Sequence, residues 1–244
     1  MSGHAKEGEP DRAPIDYKRA LDAQEALVRL RQQEIVPDLL WLLEHPSTIT
    51  FGTSGDSAHL LASAEDLEAS GVAVHETRRG GDVTCHERGQ LVGYPIVRLA
   101  EPPADRDIHL YLRRLEAALI TSLSELGLPG RRIDGRTGVW LGDPPRKIIA
   151  MGVRCNSWVT SHGFAFNVEN ELAGFQHIVP CGIADAEVTS LAKELGAADL
   201  PSWDELANLV HRSIEIALGR TLDLLRAAEA FDLLSRSDPT REGA

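Results

Sequence analysis

The order of helix-like and strand-like stretches predicts an α+β domain with an antiparallel-rich mixed sheet flanked by helices. Three observations carry this. Asp107 to Leu126 holds a long apolar stripe at helical spacing. Val139 to Val168 holds successive strand-like runs separated by tight turns, not by helices. Ser202-Trp203-Asp204-Glu205 is a capping box opening a late helix, so helices close the chain.

In order along the chain, Asp16 to Val36 has apolar residues on one helical face and stops at Pro37. Leu39 to Leu43 is a short continuous apolar run, which favours a buried strand, and Thr48 to Phe51 continues as strand. His59 to Ser70 reads as a helix ended by Gly71. Val72 to Glu76 then leads into Arg79-Gly80-Gly81-Asp82-Val83-Thr84-Cys85-His86, which reads as a β-hairpin entered through a Gly-Gly bend and returning along Leu91 to Leu99. Pro95 marks that return as an edge or a bulge. In the long helix Ile108, Tyr111, Leu112, Leu115, Leu119, Leu123 and Leu126 share a face, and Gly127 ends it. Pro129 to Gly138 reads as a loop. Val139 to Leu141, Ile148 to Arg154 and Ser157 to Val168 form an antiparallel meander with a turn at Gly142-Asp143-Pro144-Pro145. A short helix follows at Val188 to Leu195, then a helix opened by that capping box and running to Leu218, and a last helix at Leu222 to Leu234.

The 244 residues suit one domain, 15–235, between disordered tails at 1–14 and 236–244. No apolar run approaches the roughly 20 residues that span a bilayer, and the polar N-terminus is no signal peptide. Three cysteines, Cys85, Cys155 and Cys181, give neither a disulfide framework nor zinc-ligand spacing, which fits a cytoplasmic setting. A net charge of −12 argues against nucleic-acid or anionic-membrane binding. Between residues 131 and 154, however, six basic residues (Arg131, Arg132, Arg136, Arg146, Lys147, Arg154) face two acidic ones, a net of +4 that marks a docking patch for an acidic partner.

Cys181, between Pro180 and Gly182, would be presented on a bend beside backbone amides able to stabilise an oxyanion. Cys85 and Cys155 sit in strand patterns and read as packing residues. Lys147 opens an apolar strand; beside Cys181 its ammonium would matter. A free thiol with a pKa near ~8.5 is only about 3% thiolate at neutral pH, and a cation lowering that by about 1.5 units would ionise roughly half of it. His86 and His162 are rival bases for a thiol nucleophile.

Together these stretches resemble the octanoyltransferase family, the lipoyl(octanoyl) transferases of lipoate biosynthesis. The matching pieces are Leu43-Glu44-His45-Pro46 with Thr50-Phe51-Gly52; Arg79 to His86 with Gly89-Gln90-Leu91-Val92-Gly93-Tyr94-Pro95; Arg146-Lys147-Ile148 with Gly152-Val153-Arg154; His162 to Val168; and Pro180-Cys181-Gly182. They run in family order from about residue 16 to 220. The resemblance implies a fold like the catalytic domains of biotin and lipoate protein ligases, and octanoyl transfer from octanoyl-acyl carrier protein to a lysine of lipoyl domains. The acceptors would be the lipoyl domains of 2-oxoacid dehydrogenase E2 subunits and the glycine cleavage H protein. It implies Cys181 as the acyl-accepting nucleophile and Lys147 as the group that lowers its pKa. Substrate binding would fall on Arg79, Gly80, Gly81, Asp82, Val83, Thr84, Cys85 and His86, on Ala150, Met151 and Gly152, and on Gly163, Phe164 and Ala165. Cys85, where many relatives carry tyrosine, and Ala150-Met151-Gly152, a variant of Ser-Leu-Gly, depart from the pattern at the expected pocket lining.

A thioester donor exchanging onto a thiolate needs neither ATP nor metal, and no cofactor is expected. A covalent intermediate lets two protein substrates use one surface in turn. The expected state is a monomer. The rival readings are an ATP-dependent lipoate protein ligase, a thiol hydrolase and a non-catalytic carrier-binding module.

Overall fold

The structure, a computed structural model, describes residues 12–99, 106–179 and 187–237. Two sheets form its frame. The larger runs in the order β11 (Asp223–Arg226), β1 (Leu39–Leu43), β5 (Gln90–Ile96), β9 (Val159–Asn167), β8 (Arg146–Asn156), β7 (Arg136–Leu141), β6 (Arg131–Ile133), with β10 (Glu187–Val188) also on β8. The smaller is β3 (Ala73–Glu76), β2 (Thr48–Phe51), β4 (Val83–His86). Pairing is mostly antiparallel; β1–β11, β8–β10 and β2–β3 are parallel. The predicted α+β, antiparallel-rich class is what forms.

Alternation along the strands fixes two faces of the large sheet. One carries Leu40, Leu42, Leu91, Val139, Leu141, Phe164 and Phe166, and packs under α3 (Ile108–Glu125) and α5 (Trp203–Leu218). The other carries Leu39, Trp41, Leu43, Val92, Tyr94 and Ile96 under α1 (Tyr17–Gln32) and α6 (Glu229–Arg236). The small sheet has its own core of Ile49, Val83, Cys85, Leu172, Phe175 and Ile178, closed by Leu67 of α2 (Ala64–Ala69).

Helix ends follow local chemistry. Asp16 caps α1 by accepting from the Arg19 amide at 2.9 Å. Asp107 caps α3 through the amides of His109 and Leu110. In the capping box of α5 the Glu205 carboxylate accepts from the Ser202 amide at 2.8 Å, and Ser202 Oγ accepts from the Glu205 amide at 3.3 Å. Gly219, at φ 65°, ends that helix in the left-handed region.

Several expectations fail for identifiable reasons. Val83–His86 and the following strand do not form a hairpin. β4 pairs with β2, and β5 lies in the large sheet between β1 and β9. Between them the buried Glu87 turns away, accepting from Asn170 Nδ2 and the amides of Leu172 and Gly174. Pro95 sits inside a central strand, at neither an edge nor a bulge. Its missing N–H falls on the β9 side, where the regular ladder has stopped at Gly93–Phe164. There Thr160 Oγ1 donates to the Pro95 carbonyl at 2.8 Å and accepts from the Val97 amide at 2.9 Å.

Residues 222–234 split into β11 and α6, because the first half pairs with β1. Residues 59–70 keep only α2, preceded by a 3-10 turn at Ser57–His59. Residues 188–195 give the end of β10 and α4 (Leu191–Leu195). The stretch 129–138, read as loop, contains β6. Arg12, assigned to the tail, pairs with the buried Glu44 at 2.8 Å and with Glu169. Among the described residues no helix is long and apolar enough to cross a membrane.

The α5 cap gives a stability prediction. Ser202→Ala removes an acceptor for the first-turn amides and should cost about 1 kcal/mol in urea denaturation with an unchanged m-value.

Candidate active site

A cleft opens where the small sheet meets the large one. Its floor is built by two neighbouring strands. Ala150 of β8 stands opposite Ala165 of β9, and Gly152 opposite Gly163. These four positions project almost no side chain. Met151 and Phe164, one residue along on each strand, border the cleft too, but their side chains go to the helix-covered core on the other face. The other side comes from Arg79, Gly81, Asp82, Val83, Thr84 and His86, and the inner wall from Tyr17, Tyr94 and His162. The cleft holds about 490 Å³ of empty space, its open mouth included.

The floor can meet the loop because both are glycine at the crossing. The Gly80 amide donates to the Val153 carbonyl at 2.9 Å, and a Cβ on Gly152 would lie 2.6 Å from the Gly80 oxygen. From behind, the loop is clipped by the amides of Gly52, Thr53 and Ser54, which donate to the carbonyls of Asp82, Arg79 and Gly81. The buried Arg79 guanidinium donates to the Thr50 carbonyl at 2.6 Å, to Thr50 Oγ1 and to the Gly80 carbonyl. Its charge therefore sits inside the protein beside the cleft. Asp82 pairs with His59 at 2.6 Å.

The inner wall is a stack of rings. Tyr17 lies 5.0 Å from His45, 5.3 Å from His75 and 5.7 Å from His86, and Tyr94 lies 6.4 Å from His162. A carbonyl only accepts, so His45 Nδ1–H donates to the Ile15 carbonyl (2.6 Å), and its Nε2 accepts from the Tyr94 hydroxyl (2.7 Å). His86 Nδ1–H donates to Gln90 Oε1 at 2.9 Å, and Gln90 Nε2 donates on to Asn167. Burial lowers the pKa of His45 to about 4. Burial, then the adjacent His45, holds His86 well below the usual imidazole range. Burial with the charges of Arg79 and Arg154 lowers His162 to about 3. His86 and His162, the rival bases, are thus neutral and weakly basic. Burial pushes the Tyr17 hydroxyl up to about 12, and that hydroxyl has no hydrogen-bond partner among the described residues.

Lys147 lies on β8 just before the floor, 5% exposed, with Nζ 4.6 Å from the centroid of the Trp140 ring. Cys85 is fully buried and is not among the residues lining the cleft. It points the other way, into the small sheet's core, and burial pushes its thiol up. Burial also raises the thiol of the half-buried Cys155. Cys181 lies outside the described residues. On either side of its segment, the Val179 amide donates to the His59 carbonyl (2.8 Å), and the Thr189 amide to the Lys147 carbonyl (3.0 Å). Tyr17 and Tyr94 were not anticipated as wall residues. In sequence Tyr17 is only the first apolar position of a helix, and nothing in its spacing signals a cleft.

The fold and cleft define a class, the lipoyl protein ligase A/B catalytic domain, whose family model matches residues 16–215. The octanoyltransferase of Solibacter usitatus is 51% identical over 178 residues, covering 73% of this chain and 79% of that protein. That of Chloroflexus aggregans is 45% identical over 201 residues, covering 82% and 89%. The chain belongs to the octanoyltransferase family and is an acyltransferase. Among solved structures it resembles the bi-partite lipoate protein ligase of Thermoplasma acidophilum, with a TM-score of 0.66 and 18% identity over 92% of this chain and 88% of the other. It likewise resembles a lipoate-protein ligase A bound with ATP, with a TM-score of 0.66 and 17% identity over 92% and 90%. Those two likenesses concern the fold.

Two predictions follow from this geometry. Gly152→Ala forces the Gly80 loop off the floor and should lower kcat/KM by about 10²-fold, the usual effect of an ångström-scale misplacement, while circular dichroism stays native. The three buried imidazoles make stability pH-dependent. Their folded pKa values lie below the unfolded ~6.5, so the unfolded chain binds protons first, and stability held above pH 6.5 falls as pH drops toward 4, by about 1.4 kcal/mol per pH unit for each histidine. Urea midpoints from pH 7.5 to 4 would display the slope; a flat profile would contradict neutral burial.

Proposed function

We propose that this octanoyltransferase takes its acyl group from octanoyl-acyl carrier protein, holds it as a thioester on Cys181 and delivers it to a lysine of a lipoyl domain. The observation that carries this reading is the convergence of three separate sequence segments, 79–86, 150–152 and 163–165, on one cleft with a side-chain-poor floor. A slim unbranched chain fits such a floor; a bulky ring does not need one.

The chemistry balances without an external reagent. The Cys181 thiolate attacks the carrier thioester carbonyl, the carbon–sulfur bond to the carrier breaks, and the carrier leaves as a thiol after taking one proton. The neutral acceptor amine then attacks the new thioester. The bond to Cys181 breaks, an amide forms, and the amine's surplus proton departs as the thiolate returns. Lys147 is the proposed cation beside the thiolate and the proposed carrier of the proton. The low basicity of His86 and His162 favours it over either imidazole. The raised thiols of Cys85 and Cys155 make them poor alternatives for the nucleophile.

The expected basic docking patch is smaller than its charge count. Arg132 is tied to the buried Glu116 at 3.0 Å, and Arg146 is forked onto Glu194. Arg131, whose guanidinium donates to the Gly142 carbonyl at 2.6 Å, and Arg136, whose guanidinium lies 5.8 Å from the Trp140 centroid, are the proposed contacts for an acidic carrier. The domain limits 15–235 belong to this proposal as well.

Intact-protein mass after mixing with octanoyl-acyl carrier protein, without ATP, tests the route. Wild type should gain a hydroxylamine-sensitive octanoyl group, and Cys181→Ser should gain none. An adduct on both proteins would move the nucleophile, and ATP-dependent activity surviving in Cys181→Ser would favour the ligase reading. Lys147→Ala should lower kcat at neutral pH by about 10²-fold, as loss of an acid–base group does.

A further inference from the structure

Lys147 and Ala150 are three residues apart on one strand, and in a regular strand their side chains would point to opposite faces. Here they do not. Val139 pairs with Ile149, but the next residue, Trp140, pairs with Lys147. Ile148 is therefore an extra residue, a β-bulge. Ile148 and Ile149 both enter the core beneath α3 and α5, and the parity of the strand is reversed below them. Lys147 thus emerges on the face of Ala150 and Gly152, the face that floors the cleft.

Trp140 is the residue that meets it there. Its neighbours Val139 and Leu141 point into the helix-covered core, so Trp140 points to the cleft face, directly across the strand from Lys147. The indole is fully buried. Its Nε1 makes no hydrogen bond to any described residue, so no polar contact explains an indole here. Its ring does have cationic partners: the Lys147 ammonium at 4.6 Å and, farther off, the Arg136 guanidinium at 5.8 Å; the ammonium is the one well within the roughly 6 Å over which a cation is drawn to an indole quadrupole. Space for the lysine stem comes from Gly138, whose φ of 116° excludes ordinary residues. A Cβ there would stand 2.5 Å from the Ile149 carbonyl oxygen and 3.6 Å from Lys147 Cε. The Gly138 amide is held by the buried Glu116 carboxylate at 3.1 Å.

We propose that Trp140 is a positioning residue for acyl transfer, its indole face holding the Lys147 ammonium in place on the cleft side of the bulged strand. This rests on the role of Lys147 proposed above. A lysine with four rotatable carbons has many other rotamers. The ring selects the one in which the charge stays buried beside the cleft. Without the ring the lysine would still be present, yet its charge would no longer be fixed where the thiolate forms.

The test compares Trp140→Phe, which keeps a ring face, with Trp140→Met, which fills similar volume without one, alongside Lys147→Ala and wild type. The readout is the pH dependence of Cys181 alkylation by iodoacetamide, located by peptide mass, together with kcat and carrier KM. Trp140→Met should move the alkylation midpoint up by about one pH unit and lower kcat about tenfold at neutral pH with KM unchanged; Trp140→Phe should stay near wild type. A purely structural role would lower the melting temperature of both variants equally and leave the midpoint in place, which overturns the proposal. If Lys147→Ala shifts the midpoint and Trp140→Met does not, the Trp140 inference alone fails. If Lys147→Ala also leaves it unmoved, the Lys147 reading fails first. Should the Met variant not fold, protein carrying fluorinated tryptophan, of nearly unchanged shape but weaker ring face, must show the same upward shift; an unmoved midpoint there overturns the proposal too.

Discussion

The whole site depends on one close backbone crossing, the Gly80 amide on the Val153 carbonyl with Gly152 beneath it. Two sheets with separate cores approach there to a distance that any side chain would forbid. Everything that makes the cleft a cleft follows from that approach. The loop of residues 79–82 becomes a wall because it is pinned in front by β8 and behind by the amides of residues 52–54. Arg79 is buried because the same loop draws its guanidinium across Thr50.

Behind that crossing the protein keeps three buried imidazoles, His45, His86 and His162, in neutral form. Their rings, with that of His75, pack around Tyr17 and Tyr94. Burial supplies most of the effect, and Arg79 adds to it by disfavouring further positive charge on His86 and His162. The inner wall is thus polar in composition while carrying little charge of its own.

Much of this was legible from local pattern. The stripe of α3, the capping box of α5 and the meander of β7 to β9 are determined by nearest neighbours, and each formed close to its expected bounds. What was hidden is what the chain decides at long range. Nothing local distinguishes Val83 to His86 as a partner of β2 from a partner of the next strand, and the same holds for Leu224 and Leu225, recruited by β1 out of an apparent helix. The segments around the cleft could be quoted from the sequence through their resemblance to a family. Cys85 nonetheless faces away from it, and Tyr17 completes its wall from the far end of the chain. The bulge at Ile148 leaves no mark in composition either; it is visible only as a change of register.

The floor of paired alanines and glycines has a consequence for how this enzyme can diversify. Side chains there are already at or near the smallest available, so substitutions at 152 and 163 can only take room away, and those at 150 and 165 can add no more than one methyl's worth. Further room must instead be carved from the aromatic wall at Tyr17 and Tyr94, where each loss of volume also dismantles the ring stack. Widening of this cleft is therefore coupled to loss of fold stability, while narrowing is not.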